Sequence, residues 1–345
     1  MAVYYTSQFH TNHRGKNKTK KEGKRMRGTK NKRLLFMVSV GVMLISVFAV
    51  AITSTSAIAQ KGISPRVLER IQTDREARRI TVDEYILYKT WAVFDPQKLV
   101  GTRYALSAEE TKLLRKCGTP IILEIREIWN KLSPKTKAQL KWVFLRPTDP
   151  GGGTDGNQHL LPQLYGTEHF LIHWTNGADG GLAEDAPPLT DSDADGTPDY
   201  IENLGAIFEY VWNFEISNRG FDMPPNDADL PSNDENNRNP DDRYDIFVYD
   251  MNPYGYAKPE YLVNETPEND KTSFIAVEND YIGFSGTQLE CMQVTAAHEF
   301  HHAIQFGYDY EEKGWWMETT SVYMEDEVYP DINDNYQYLY NWFQY

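Results

Sequence analysis

The chain has 345 residues, 40% hydrophobic and 25% charged, the ordinary proportions of a globular protein with length for one large or two modest domains. That excludes a wholly disordered, collagen-like or multi-spanning membrane chain. The net charge of −15 is unevenly placed: residues 1–33 hold 11 of the 35 Lys and Arg and one acid, leaving residues 60–345 with 24 basic against 49 acidic side chains. So acidic a body repels phosphate backbones and favours divalent cations, and nucleic acid is excluded as a partner.

Leu34–Ile52 is an uncharged apolar run of nineteen residues behind a cluster of Arg and Lys. Ala57-Ile58-Ala59 follows it with the small-x-small form of a signal-peptidase site, so residues 1–59 read as a signal peptide with a long basic n-region. Met26 opens a better-proportioned signal and is the expected start of translation. An uncleaved anchor is the competing reading, because nineteen residues just suffice to span a bilayer. The mature chain is expected to be secreted, cell-surface or periplasmic, with no stable membrane partner after cleavage. In such a compartment Cys117 and Cys291 could form a disulfide, and two buried thiols are the equal alternative. Two cysteines are too few for a cysteine-built zinc finger.

Residues 60–145 carry apolar side chains at three- and four-residue spacing and are expected to be a helical propeptide-like segment or N-terminal subdomain. Ser107 and Glu110 have the spacing of a capping box. Residues 146–158 (RPTDPGGGTDGNQ) read as a Gly-rich linker, and 159–345 as the functional domain. There, 169–175, 244–251 and 272–279 are β-rich, a helix is expected over 199–218, and another runs over 287–306 behind a second capping box, Thr287 with Glu290. The fold class expected is α+β: a helical N-terminal region, then a mixed sheet with an active-site helix and a Glu-bearing helix.

Residues 191–202 read DSDADGTPDYIE, which fits the calcium-loop pattern D-x-[DN]-x-[DN]-G-x5-E. Asp191, Asp193 and Asp195 would wrap a hard cation, Gly196 permits the sharp turn, and the Thr197 carbonyl is the seventh-position ligand. Asp199 is ninth, and Glu202 would close the shell bidentately. At least one structural Ca2+ is therefore expected. No helix of EF-hand type precedes the loop.

Residues 298–302 are His-Glu-Phe-His-His, an H-E-x-x-H match. On a helix His298 and His302 stand one turn apart, so both imidazoles can grip one zinc, and Glu299 can take a proton from an attacking water. His301 lies off that face and is expected to make a supporting contact or meet solvent. The continuation that would supply a third His fails, because Gln305 and Tyr308 stand where Gly and His are needed. A Glu from the next helix is the other solution. Glu318, preceded by Trp315, Trp316 and Met317 that would bury it, is the candidate, and Glu325 is its competitor seven residues on.

HEFHHAIQFGYD, WWMETTSVYMEDEVYPDINDNYQYL, DSDADGTPDYIE and YDIFVYDMNPYGY occur together over roughly Thr167 to Tyr345. In that order they resemble exported bacterial zinc metalloproteases of the gluzincin, thermolysin-like type. The resemblance implies a thermolysin-like fold, one catalytic zinc on His298, His302 and Glu318, and Glu299 as general base. It implies nothing about substrate beyond proteins or peptides. Four residues past the Glu ligand, where that wider group places an Asp on a zinc-bound His, this chain has Val322, so Ser321 or Glu325 would have to serve. Family members continue beyond this chain's end, so it reads as C-terminally truncated.

The function expected is thus a secreted zinc-dependent endopeptidase, with Tyr323 a guess for the group that steadies the oxyanion. The alternatives are an inactive, calcium-stabilised surface binding module and a zinc hydrolase acting on a non-protein target such as a peptidoglycan cross-link.

Overall fold

A computed structural model describes residues 66–225, 242–263 and 270–336. The signal peptide expected at 1–59 lies outside the described residues. Among those described, no helix is long and apolar enough to cross a membrane.

Local signals start the helices that precede the sheet. After α1 (Arg66–Glu76), a capping box of Thr81 and Glu84 opens α2 (Val82–Phe94), and the expected one of Ser107 and Glu110 opens α3 (Ala108–Leu114). Pro120 and Pro134 sit in the first turns of α4 (Thr119–Ile128) and α5 (Pro134–Leu140), where a missing N–H costs nothing.

Five strands then form one mixed sheet. The expected strands are β2 (Phe170–Trp174), β3 (Tyr244–Val248) and β5 (Lys271–Val277), which run parallel in the centre. Two unexpected antiparallel strands close the edges: β1 (Gln163–Gly166) beside β2, and β4 (Gly255–Leu262) beside β5. β4 escapes a pattern search because Lys258-Pro259-Glu260 interrupts its apolar run, and Pro259 is tolerated in an edge strand. The connection from β2 to β3 carries α6 (Asp199–Trp212), and the sheet is followed by α7 (Gln288–Phe306) and α8 (Gly314–Val328).

Residue parity sorts the sheet's side chains into two cores. Tyr244, Ile246 and Val248 of β3, with Ile275 and Val277 of β5, pack among α6, α7 and α8. Phe247, Phe274 and Ala276 point the other way, into a core shared with Ile71, Ile86, Phe94, Ile122 and Leu140 of the preceding helices. The fold is therefore α+β, with helices on both faces of a five-stranded mixed sheet.

The segment 146–158, read as a linker, is tied down. Arg146 is 6% exposed and pairs with Asp245 at 2.9 Å and Glu260 at 2.7 Å, both on the sheet. A Cβ on Gly152 would stand 1.8 Å from the Arg146 carbonyl oxygen. At that position glycine serves close packing rather than flexibility.

Candidate metal centre

Helix α7 begins with the expected capping box, Thr287 accepting from the Glu290 N–H while Glu290 accepts from Thr287 N–H. Its central stretch is buried on all sides, and His298, Glu299 and His302 are at most 1% exposed. Leu289, near the helix start, is exposed.

One turn of helix brings His298 Nε2 and His302 Nε2 to 3.1 Å. Helix α8 sets Glu318 against both, with Oε1 2.9 Å from His302 Nε2 and Oε2 3.6 Å from His298 Nε2. A fourth donor comes from far away in the chain: Cys117, two residues before α4, has its Sγ 3.7 Å from His302 Nε2. One donor atom from each of these four residues lies within 4.8 Å of every other. With zinc bond lengths of about 2.0–2.1 Å to nitrogen or oxygen and 2.3 Å to sulfur, a tetrahedron has edges of about 3.3 Å between N or O donors and about 3.6 Å from sulfur to nitrogen. The observed separations bracket those edges.

Two carboxyl and amide groups fix which imidazole nitrogens face inward. His298 Nδ1 donates to Glu325 Oε1 at 2.6 Å, and His302 Nδ1 donates to Gln305 Oε1 at 2.8 Å, with Ser321 Oγ at 3.3 Å. Gln305 is itself oriented, its Nε2 donating to the Met317 carbonyl and Thr320 Oγ1. With both Nδ1 atoms donating, the two Nε2 lone pairs face each other beside a carboxylate. Such an arrangement is repulsive unless a cation or a proton sits between them, and it fits a metal.

No family model, curated protein or solved structure matches this chain.

The protonation behaviour follows from enclosure. Burial pushes the His298 imidazolium down, but Glu318 and Glu325 outweigh it and hold the group up to about 10. Glu318 lies well below the usual carboxylate range because His302 and His298 outweigh its burial. Burial, with Glu299 and Glu318 close by, pushes the Cys117 thiol well above its ordinary range, and a bound cation is what would form the thiolate there. Glu299 is pushed up, chiefly by burial, with His298 and His302 acting against it. Its Oε2 accepts from Thr119 Oγ1 at 3.2 Å, and its Oε1 is buried without a hydrogen-bond partner.

The structure thus brings His298, Glu299, His302 and Glu318 to one place, and separates Glu325 from the donor set as the group that orients His298. His301 is buried and donates through Nδ1 to Glu215 at 2.7 Å, a supporting contact rather than a solvated one. Two expectations fail. Tyr323 is turned away, its hydroxyl donating to Glu327 at 2.7 Å, and Trp315 is 67% exposed, so Met317 alone of its neighbours is fully buried beside Glu318. Cys117 and Cys291 are free thiols, the latter donating to the Ser285 carbonyl. Cys117, Gln305, Thr119 and Lys116 (Nζ on Glu325 at 2.8 Å) carry no local signal that a sequence reading could use.

A second grouping lies in the loop before α6. Asp191, Asp193 and Asp195 bring carboxylate oxygens within 4.8 Å of one another, on a surface open to water. The turn that gathers them uses positive φ at Gly196 (+99°) and Ala194 (+61°), and backbone N–H groups of Ala194, Gly196, Asp195 and Thr197 donate to the three carboxylates. Asp199 stands apart from the grouping, held by the N–H and hydroxyl of Ser192 at 2.8 and 2.6 Å. Glu202 is likewise outside it, though partial burial and the acids of the loop push its carboxyl up. Thr197 contributes its N–H to Asp195.

Proposed function

We propose that the chain is a zinc-dependent endopeptidase of thermolysin-like design, acting on proteins or peptides outside the cytoplasm. The observation that carries this reading is a buried carboxylate, Glu299, with an unpartnered oxygen beside two imidazole nitrogens and Glu318 spaced as tetrahedral ligands. His298, His302 and Glu318 would hold the metal, and zinc there supplies a Lewis acid that brings a water's pKa toward neutrality. Glu299 then takes the proton from the attacking water and delivers it to the leaving amine. Glu325 and Gln305 keep both imidazoles aimed, and the enclosure strengthens every interaction in the site. The Asp191/Asp193/Asp195 loop would hold a structural calcium at the start of α6.

A second reading is a catalytically inactive module with a structural metal. One observation favours it: with Cys117 the donors number four, the closed set of structural zinc sites. Against it stands Glu299, a buried carboxylate with an unpartnered oxygen, which a structural site has no use for. Zinc-binding stoichiometry, followed by peptide cleavage assays of Glu299→Gln beside its parent, tests the proposal. A Glu299→Gln chain that keeps its zinc and cleaves like the parent would refute the mechanism.

A further inference from the structure

A catalytic zinc site keeps one position open for water and substrate. Here Cys117 of the same chain stands beside that position, its Sγ 3.7 Å from His302 Nε2. We infer that residues 115–119 form a built-in plug that holds the centre latent: Cys117 is the fourth metal ligand, and the plug's backbone occupies the groove along β4 where an extended peptide substrate binds. This rests on the metallopeptidase reading above and adds a regulation to it.

Each residue of the plug is engaged. The Tyr254 N–H, next to β4, donates to the Arg115 carbonyl at 2.7 Å, and the Gly118 N–H donates to the Gly255 carbonyl at 3.0 Å. Thr119 Oγ1 accepts from the Ala257 N–H at 2.9 Å and lies 3.1 Å from the Ala257 carbonyl oxygen. β4 is an edge strand, and an edge strand offers backbone groups that bind an extended segment by strand addition. The plug uses those groups on the stretch of β4 that packs beside α7. There a Cβ on Gly255 would lie 3.3 Å from the Glu299 side chain.

The plug also covers the chemistry. Cys117 Sγ stands 3.7 Å from His302 Nε2, close to the sulfur-to-nitrogen edge of a zinc tetrahedron. Thr119 Oγ1 reaches the base, 3.2 Å from Glu299 Oε2. Lys116 Nζ clamps Glu325 at 2.8 Å and Asp334 at 2.6 Å, so the group that orients His298 is held by the residue beside the sulfur. Gly118 permits the approach: a Cβ there would stand 2.6 Å from the Phe94 ring and 3.2 Å from Tyr256 Cβ.

Release is local. The helices before the sheet share a core with Phe247, Tyr256 and Phe274, so stripping away the whole of 66–144 would bare one face of the sheet. Lifting 115–119 alone exchanges ligands: the metal–sulfur bond breaks, the thiolate takes a proton from solvent, and water enters the freed position. Nothing is oxidised or reduced.

The test is cobalt loading of the full chain, wild type beside Cys117→Ala and Cys117→Ser, with absorption read in the near ultraviolet, where a thiolate bound to cobalt gives a charge-transfer band. Zinc-loaded samples are assayed in parallel on an unfolded protein substrate. The expected result is one cobalt per chain in all three, the band in wild type only, and cleavage about tenfold or more faster in both variants. Wild type that binds cobalt without the band overturns the plug and leaves the metal site standing. Variants that bind cobalt but cleave no faster than wild type overturn the latency, as do variants that fold but lose the metal, which make Cys117 a structural ligand. Folded wild type that binds no cobalt removes the metallopeptidase reading itself.

Discussion

The buried centre and the exposed Asp loop both gather donor atoms within 4.8 Å, by opposite means. The loop is assembled by seven consecutive residues, 191–197, whose own backbone N–H groups and two positive-φ positions hold the acids together while water solvates them. The centre is assembled from residues 117, 298–302 and 318, on a loop and two helices, with Cys117, His298, Glu299 and His302 buried and Glu318 partly open to water. Enclosure makes the difference. In the loop, like charges are tolerable without a cation; in the centre, His298, Glu299 and Glu318 are displaced from their ordinary pKa and need a partner of the right sign.

The comparison is broken most severely by removing the base. In a Cys117→Ala background, Glu299→Gln is expected to keep its zinc and lose about 10²–10⁴-fold in kcat/KM. Metal analysis and peptide assays on the same sample check both halves, and a loss of zinc would mean Glu299 is a ligand.

Glu325→Gln comes next. It weakens the acceptor that orients His298 and is expected to cost about 10–100-fold in zinc affinity, measured by competition with a chelator. Asp193→Ala, on the exposed loop, should leave that affinity unchanged.

Acidification sharpens the contrast further. Glu318 and Glu325 hold His298 up to about 10 against its burial, so below that pH zinc must displace a proton to bind. In a Cys117→Ala background, where no thiol proton is displaced, apparent zinc affinity should fall about tenfold per pH unit from pH 9 to 6. A flat profile would mean His298 already carries a free lone pair at neutrality.

The smallest effect is at the loop. Calcium at about 100 times its Kd should add about 2.7 kcal/mol to the chain's stability, read as a rise in Tm, and Asp193→Ala should abolish the rise. A calcium response that survives the substitution places the cation elsewhere.

What was legible in the sequence follows the same division. Short-range signals held: the capping boxes at Ser107 and Thr287, the central strands, and the pairing of His298 with His302, which needs only one turn of helix. The aspartates of the loop were legible because alternation along a turn brings neighbours together, whereas Asp199 turned to Ser192, a choice that spacing does not encode. Glu318 and Glu325 lie seven residues apart on one helix, so the sequence offered both; the packing of α8 against α7 made one a donor and the other the support of His298. Cys117 was invisible. It meets His302 across 185 residues of chain, and no periodicity reports such a contact. β4 was hidden by Lys258, which reads as exposed but is 1% exposed, its Nζ donating to the Trp142 and Leu145 carbonyls, with burial pushing its amine down to about 7.

The central claim is that His298, His302 and Glu318 hold a metal. Native mass spectrometry of the chain with zinc and calcium supplied, wild type beside Glu318→Ala, tests it most directly. The account expects one zinc retained by wild type and weakened retention in the variant. Full retention by Glu318→Ala, or no zinc on folded wild type, would contradict it.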